Sequence, residues 1–580
     1  MEEKYFLITT ALKETFRKNE KIIFLGEWCL IFNHEKKLQN KQHIVNNYHW
    51  DDREKYNRDF YFIDNLYEKK LKEFSVFLNK KHKINHNTEY WRIIIGPWLR
   101  SFIEVFFDRY EIVKSIKNKI YDTVVLDYEK NDFIPLNYKE FNSQIKSDEW
   151  NHVIFSEIIR FMNIPHSKSN IRLKQKTNSQ KSFKKKIKTI CKNILLNTYS
   201  TFITKSLNKI IIKDPYMPLI EEFKLNLKLF QLPIRHPDNK IKKPKKSIRK
   251  KLSGNLIYKN KFENLLDRLL IYMIPYSYLE NFNKIKSSNE LLYNKNPKLI
   301  FTSNAYQHDD CFKIMTAEKT SKGTKYIIGQ HGGNFKTGKL NQTVLHQLKS
   351  SSIFVSWGWK NYNCESFNIR RMPSLKLSRK ISAPDSNGYI LITIPSYPRY
   401  FYCHYSVPVV GQFLKVIESI FCFIKKLDST NLHLVKIKLD SDEFGWNLTE
   451  RFEQNGFSKM LIKNQNFYRS LSKSRISISP YNSTIYYETL SSNFPTVIFF
   501  DTKYYEISDS SIEIFNLLKS VGIFHETPLL AAVFVNSVLE NINDWWFRKE
   551  VQEARLEFCN KFALKSETYL KEWKYLLKNA

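Results

Sequence analysis

Cysteine is sparse and unpatterned in this chain of 580 residues: seven are scattered (Cys29, Cys191, Cys311, Cys364, Cys403, Cys422, Cys559), with no Cys-x-x-Cys pair. That spacing argues against a disulfide framework or a structural zinc site and fits a reducing compartment. No run of about 18 uncharged apolar residues occurs, so no membrane-spanning helix is expected. The opening MEEKYFLITT lacks the basic start and long apolar stretch of a secretory signal, which leads to the expectation of a cytoplasmic protein. GxxxxGK[ST], HExxH and Gly-x-Ser-x-Gly are all missing, which argues against a P-loop NTPase, a zincin and an α/β-hydrolase. Acidic pairs suited to a metal are few: Asp51-Asp52 and Asp309-Asp310 are adjacent, and Asp440-Ser441-Asp442 is the only Asp-x-Asp, so neither metal nor cofactor is called for. No internal repeat is found.

What the chain has is apolar material and positive charge. Hydrophobic residues make up 42% and aromatics 15%, which excludes a disordered chain, and the length calls for two or three domains. The 93 Lys+Arg against 58 Asp+Glu give a net charge of +35. Such an excess suits nucleic acid, anionic lipid or an acidic substrate, and equally a solvated surface shaped by AT-rich codons for Lys, Asn, Ile, Phe and Tyr. Two basic, polar stretches, 167–188 and 236–251 (HPDNKIKKPKKSIRKK), read as loops.

Apolar periodicity predicts strands at Tyr5–Thr9, Ile22–Leu25 and Val124–Leu126, with buried helices over 59–79 and 92–108. Ile210–Ile212 resembles a strand leading through Asp214-Pro215 into a helix over 218–229. After Leu299 strands and helices alternate regularly: strands at 299–302, 325–328 and 353–357, then at 388–393, 434–439, 476–478 and 496–500. Alternation of this kind implies parallel sheets. The expected fold class is α/β, with two Rossmann-like domains facing a cleft, helical additions in the N-terminal half and a C-terminal helix. The boundaries are 1–375 (basic and helical insertions at about 167–255), 385–535, and a helical segment 540–580 packing across the seam.

Three constellations could carry chemistry. Gln330-His331-Gly332-Gly333 follows a strand; its glycines permit close backbone approach, exposed N–H groups suit an anion, and His331 could be a general base or a donor to a leaving phosphate. Ser483 and Thr484 open a helix, where hydroxyls and free N–H groups suit a phosphate, and Glu488 one turn on could accept from ribose. Arg399, in the turn PSYPRYFY, and Lys438, on a strand, are further anion candidates. In the N-terminal half Glu27, Asp51 and Asp52 lie in dense polar and aromatic clusters, where one carboxylate could act as general base or the group could be a buried structural network.

Ordered along nearly the whole chain are LITT (7–10), FLGEWC (24–29), YHWDDREK (48–55), YWRIIIGPWL (90–99), FDR (107–109), TSN (302–304), GQHGG (329–333), SWGW (356–359), YPRY (397–400), FGW (444–446), YNSTIYYETL (481–490), VGIFHETP (521–528) and WW (545–546). On these motifs the chain resembles a bacterial O-antigen transferase family first described in Leptospira surface-carbohydrate regions. It departs from that pattern at Asn334 and Phe335, where a Gly-Tyr-Gly type turn is usual, and at Lys438, where Arg is expected. The resemblance implies a GT-B-like glycosyltransferase of lipopolysaccharide or other surface-polysaccharide assembly. Such an enzyme takes a nucleotide-sugar donor and a glycan or lipid-linked acceptor. The His-Gly turn and the Ser/Thr-to-Glu helix also look like elements of capsule transferases that use CMP-activated ulosonic acids. The implied assignment puts Gln330, Gly332, Gly333, Arg399, Lys438, Ser483, Thr484 and Glu488 at the donor, and His331 or one of Glu27, Asp51 and Asp52 at the acceptor hydroxyl. A polyol-phosphate transferase of the same pathway is the alternative. A nucleic-acid-binding protein using the basic stretches is a further reading, disfavoured because the motif-rich turns lie elsewhere; those stretches could instead hold the enzyme at an anionic membrane.

Overall fold

The computed structural model describes residues 3–17, 20–31, 43–175, 208–235, 260–362, 366–463 and 465–580, together with positions 199, 205, 241, 243 and 249. Among these residues there are three five-stranded sheets. The strands, in chain order, are β1 (Tyr5–Ile8), β2 (Ile22–Phe24), β3 (His43–Val45), β4 (Ile120–Asp127), β5 (Ser167–Arg172), β6 (Ile210–Lys213), β7 (Leu299–Thr302), β8 (Lys325–Gly329), β9 (Ile353–Ser356), β10 (Ile369–Arg371), β11 (Tyr389–Ile394), β12 (Val435–Leu439), β13 (Ser474–Ser479), β14 (Thr496–Phe499) and β15 (Phe524–His525). The orders are β3-β2-β1-β4-β5, β10-β9-β8-β7-β6 and β12-β11-β13-β14-β15, and every pairing is parallel. The central strands are short apolar runs (YFLI, LIFT, YILITI) buried on both faces, as strands covered by helices on both sides must be.

The stretch expected to form one N-terminal unit therefore holds two sheets. The first is built on β1, β2 and β4 and closed by the three-residue β3 and by β5, whose sequence SKSNIR begins a stretch read as a loop. The remainder of that basic stretch and nearly all of 236–251 lie outside the described residues.

The helix Thr88–Ile116 stands between the first and second sheets. It is buried along nearly its whole length and packs on the helices Arg53–His82, Asp148–Phe161, Asp310–Thr320 and Gln342–Ser350. Asn87 starts it, its side chain accepting from Tyr90 N at 3.0 Å.

The three units meet through the loops beyond the carboxyl ends of their strands. Arg53 joins the first unit to the third through Glu506 (2.7 Å) and Gln412 (3.1 Å). The second and third are joined by Lys339 N on Glu506 O at 2.9 Å and by short bridges Gly338–Ile507 and Asn341–Tyr405. The chain ends as three helices, Ile542–Trp546, Lys549–Phe562 and Tyr569–Asn579, where one segment was expected. Lys549–Phe562 packs on the third unit, Leu564 N bonds Trp357 O at 2.8 Å, and Trp573 lies on Phe301 of β7, so the segment passes from the third unit to the second. Among the described residues no helix is long and apolar enough to cross a membrane.

Candidate functional site

The turns that leave β6, β8 and β13 meet between the second and third sheets. In an open parallel sheet ligands bind beyond the carboxyl ends, at the crevice where strand order reverses; in the third sheet that point lies between β11 and β13. Ser479 ends β13, and the chain runs from there into the helix Thr484–Ser491.

Here the glycine turn and the hydroxyl-rich helix start touch. Gly333 N donates to Thr484 Oγ1 at 3.0 Å, Asn334 N donates to the Tyr487 hydroxyl at 3.0 Å, and Thr337 Oγ1 lies 2.7 Å from the same hydroxyl. The approach requires glycine, since a Cβ on Gly333 would lie 2.6 Å from the Tyr487 ring and 3.0 Å from the Ser483 backbone. Asn334 takes φ +66°, so the departure from a glycine-type turn uses the residue that best tolerates the left-handed region. Because Thr484 Oγ1 accepts from Gly333, its own proton is left to point elsewhere. Ser483 occupies the N-cap without a side-chain cap bond, which leaves the first helical N–H groups without that acceptor.

His331 sits at this junction inside a ring of aromatics: Phe335 at 5.0 Å, Tyr306 at 5.8 Å and Tyr216 at 6.2 Å between ring centroids. Its Nδ1 is buried and has no hydrogen-bond partner. Burial, with His308 adding a like charge, pushes the imidazole down to about 4, so it is neutral at pH 7. The ring is neutral, and its unengaged Nδ1 is open to a hydrogen bond with a substrate.

A cation lies on the far side of the Tyr216 ring. Lys376 Nζ is 3.0 Å from Glu488 Oε1 and 3.0 Å from the Tyr216 hydroxyl, and Tyr216 stands edge-on to His331. Burial works against this ammonium, but Tyr216 and Glu488 outweigh it and hold the group above the ordinary lysine range. The second oxygen of Glu488 accepts from Tyr468 at 2.6 Å. Lys376, Tyr216 and Tyr468 belong to no sequence motif; the only local signal is the position of Lys376 at the seam between expected units.

A profile of the LIC12162 family transferases matches residues 5–577. The chain belongs to that family. No curated protein matches it significantly. Among solved structures, WaaG, "a glycosyltransferase involved in lipopolysaccharide biosynthesis", aligns at 10% identity over 52% of this chain and 96% of its own, with a TM-score of 0.26. The wall teichoic acid polymerase TagF aligns at 11% identity over 52% of this chain and 94% of its own, with a TM-score of 0.22. Scores this low do not establish a shared fold.

Of the other candidate residues of this transferase, Gln330 and Gly332 belong to the His331 turn, and the rest lie apart from it. Gln330 is locked into the turn: its Oε1 accepts from Trp357 N and Trp359 Nε1, both at 2.9 Å, and its Nε2 donates to Gly332 O at 2.7 Å. Gly332 faces Thr484, whose Oγ1 would lie 3.5 Å from an added Cβ. Arg399 does not offer its guanidinium to a phosphate. Its Nη2 bonds Asp148 Oδ2 (2.9 Å), its Nε bonds Phe444 O (3.0 Å) and its Nη1 bonds Trp28 O, so the fork ties the third unit to the first. Lys438 is half-buried on the edge strand β12.

The N-terminal carboxylates face the third unit rather than the imidazole. Glu27 packs on Gly411, whose added Cβ would lie 2.3 Å from its Cγ, and Asp51 accepts from Gln412 at 2.9 Å. Asp52 is the N-cap of the helix Arg53–His82, accepting from Glu54 N (3.0 Å) and Lys55 N (2.9 Å), a role that explains its conformation without catalysis. The neighbouring His49 belongs to a buried network centred on Asp108, which accepts from His49 at 2.9 Å, Tyr48 at 2.5 Å and Arg109.

Proposed function

We propose that the protein transfers a glycosyl group from a nucleotide-activated donor to an acceptor of surface-polysaccharide or O-antigen assembly, at the cleft between its second and third sheets. The observation that carries this reading is the direct contact of the His331 turn with the start of the helix at Thr484, beside a lysine. A donor phosphate at the helix start would receive the Ser483 and Thr484 hydroxyls, the first N–H groups and the positive end of the helix. Lys376 would offset the charge that grows on it.

In the transfer, the acceptor oxygen bonds the anomeric carbon as the bond from that carbon to the phosphate oxygen breaks. The acceptor's proton passes to neutral His331, and the electron pair of the broken bond leaves on the phosphate. Glu488 would accept from ribose through lone pairs that Lys376 and Tyr468 leave open. A CMP-activated ulosonic acid is the first donor to try, on the strength of the two short motifs.

Thermal stabilisation against CMP, CDP, UDP and GDP tests the site, since a ligand of the folded state raises its midpoint by mass action. One nucleotide is expected to raise the midpoint of the native protein and to lose the effect in a Ser483→Ala, Thr484→Ala double variant. An equal shift in that variant would remove the donor assignment. A product heavier by a polyol phosphate than the acceptor would replace sugar transfer by the polyol-phosphate reading.

A further inference from the structure

The helix Leu219–Lys228 presents its apolar side to solvent. Ile220, Phe223 and Leu227 are 61%, 43% and 49% exposed, and their spacing of three and four residues places them in one stripe. Leu219, at 72%, and Phe230, at 83%, extend the stripe at its two ends. The left-handed backbone of Phe230, φ +58°, turns the chain just past the helix. Inward, the same helix is fixed by Leu225, by Glu222 under a bidentate Arg235, and by Asn226, bonded to Gln231 at 3.0 Å. Its orientation is therefore set, and the outward apolar stripe is a consequence of the fold. Monomeric proteins seldom leave a contiguous patch of large apolar side chains open without a use for it.

Cations flank the stripe. Lys224 and Lys228 are exposed on the same helix, Lys224 paired with Glu221 at 2.8 Å. From the adjoining C-terminal helix, Lys578 and Lys574 bring Nζ to 5.4 Å and 5.9 Å from the Phe230 ring. Lysine is depleted at the cores of protein–protein interfaces, whereas apolar anchors ringed by long cationic side chains suit the headgroup region of an anionic bilayer: the rings and aliphatic groups enter the acyl boundary and the ammonium groups stay with the phosphates. The helix also begins three residues after Tyr216, the ring that contacts His331 and Lys376.

We propose that this face, centred on Ile220, Phe223, Leu227 and Phe230, is a docking surface for an anionic phospholipid bilayer, and that it sets the mouth of the cleft beside the membrane. The proposal does not rest on the transfer chemistry, and its test needs no donor.

The full chain is sedimented with vesicles of phosphatidylcholine alone and of phosphatidylcholine with about one third phosphatidylglycerol, at low and high salt. The native protein is expected to bind the anionic vesicles at low salt, to bind the neutral ones weakly, and to release in high salt. Ile220→Ser, Phe223→Ser, Leu227→Ser and Phe230→Ser together are expected to lower binding at least tenfold with an unchanged thermal midpoint, because all four side chains already face solvent. Lys574→Gln with Lys578→Gln is expected to give an intermediate loss. Absence of binding to anionic vesicles at low salt overturns the proposal. So does equal binding by the serine variant, with loss only when the basic stretches 167–188 and 236–251 are neutralised. A dimer in sedimentation velocity that the serine variant dissociates, with no vesicle binding by either protein, would assign the face to self-association instead.

Discussion

His331 is held in a pocket that refuses charge. Three aromatic rings bury it and His308 adds a like charge, so its proton is released near pH 4 rather than at the ordinary 6.5. If it is the base, the acid limb of kcat/KM for the free enzyme falls well below pH 6, and His331→Gln lowers kcat by about 10² to 10⁴ while the folded protein survives. An acid limb at 6.5, or a Gln variant with native turnover, would move the proton transfer to another group. Gly333 is the second residue on which the cleft depends. Gly333→Ala places a methyl group 2.6 Å from the Tyr487 ring, so the turn must withdraw from the helix and strain its bond to Thr484. The expected result is a loss of about 1 to 3 kcal/mol in denaturant unfolding, together with weaker nucleotide stabilisation.

At the scale of elements, the sequence was readable where a strand is central, whereas amphipathic helices such as Lys261–Met273 and Gln342–Ser350 gave no reading. The runs YFLI, LIFT and YILITI announce themselves because both faces of a parallel strand are buried. Edge strands do not: β5 (SKSNIR) and β10 (IRR) expose charged side chains, and β3 and β15 are three and two residues long, so the first sheet read as strands with helical additions. The glycine turn and the hydroxyl cap were visible because backbone geometry alone selects those residue types. Lys376 and Tyr468 were not, because their meeting with Glu488 joins a linker, a short helix and a longer one, and no local spacing encodes that. Arg399 shows the limit from the other side. A rigid turn after a strand marks it as placed, but its partner Asp148 stands about 250 residues earlier in the chain. Asp52 is the case where cap and catalyst compete as explanations. Its carboxylate accepts two backbone N–H bonds, which hold its pKa below the usual range. Asp52→Ala is therefore expected to lower the unfolding midpoint with turnover retained, and Asp52→Ser to recover most of that loss. A collapse of turnover at unchanged stability would return Asp52 to the site.

At the scale of the whole molecule, buried titratable groups set how stability depends on pH. Burial pushes His331 and His152 down to about 4 and His346 to about 3. Below pH 6.5 the unfolded chain takes up protons that these folded histidines refuse, so stability falls as the pH drops from 6.5 toward 4. Glu104 acts in the opposite sense. It lies on the central helix, 3.7 Å from Arg100 and 3.4 Å from His404, and burial outweighs the guanidinium and pushes it up to about 8. The folded protein keeps this proton after the unfolded chain has lost it near 4.5, so its contribution is complete below 4.5 and disappears as the pH rises through 8. The slope is about 1.4 kcal/mol per pH unit between those limits. Glu104→Gln imitates the protonated carboxyl and removes the titration. The variant is thus expected to fold, and the stability of the native protein relative to it is expected to decline by about 2 to 3 kcal/mol between pH 6 and pH 8, read by urea unfolding at each pH. A difference that stays flat over this range would mean that Glu104 is ionised in the fold and that Arg100 holds it as an ion pair.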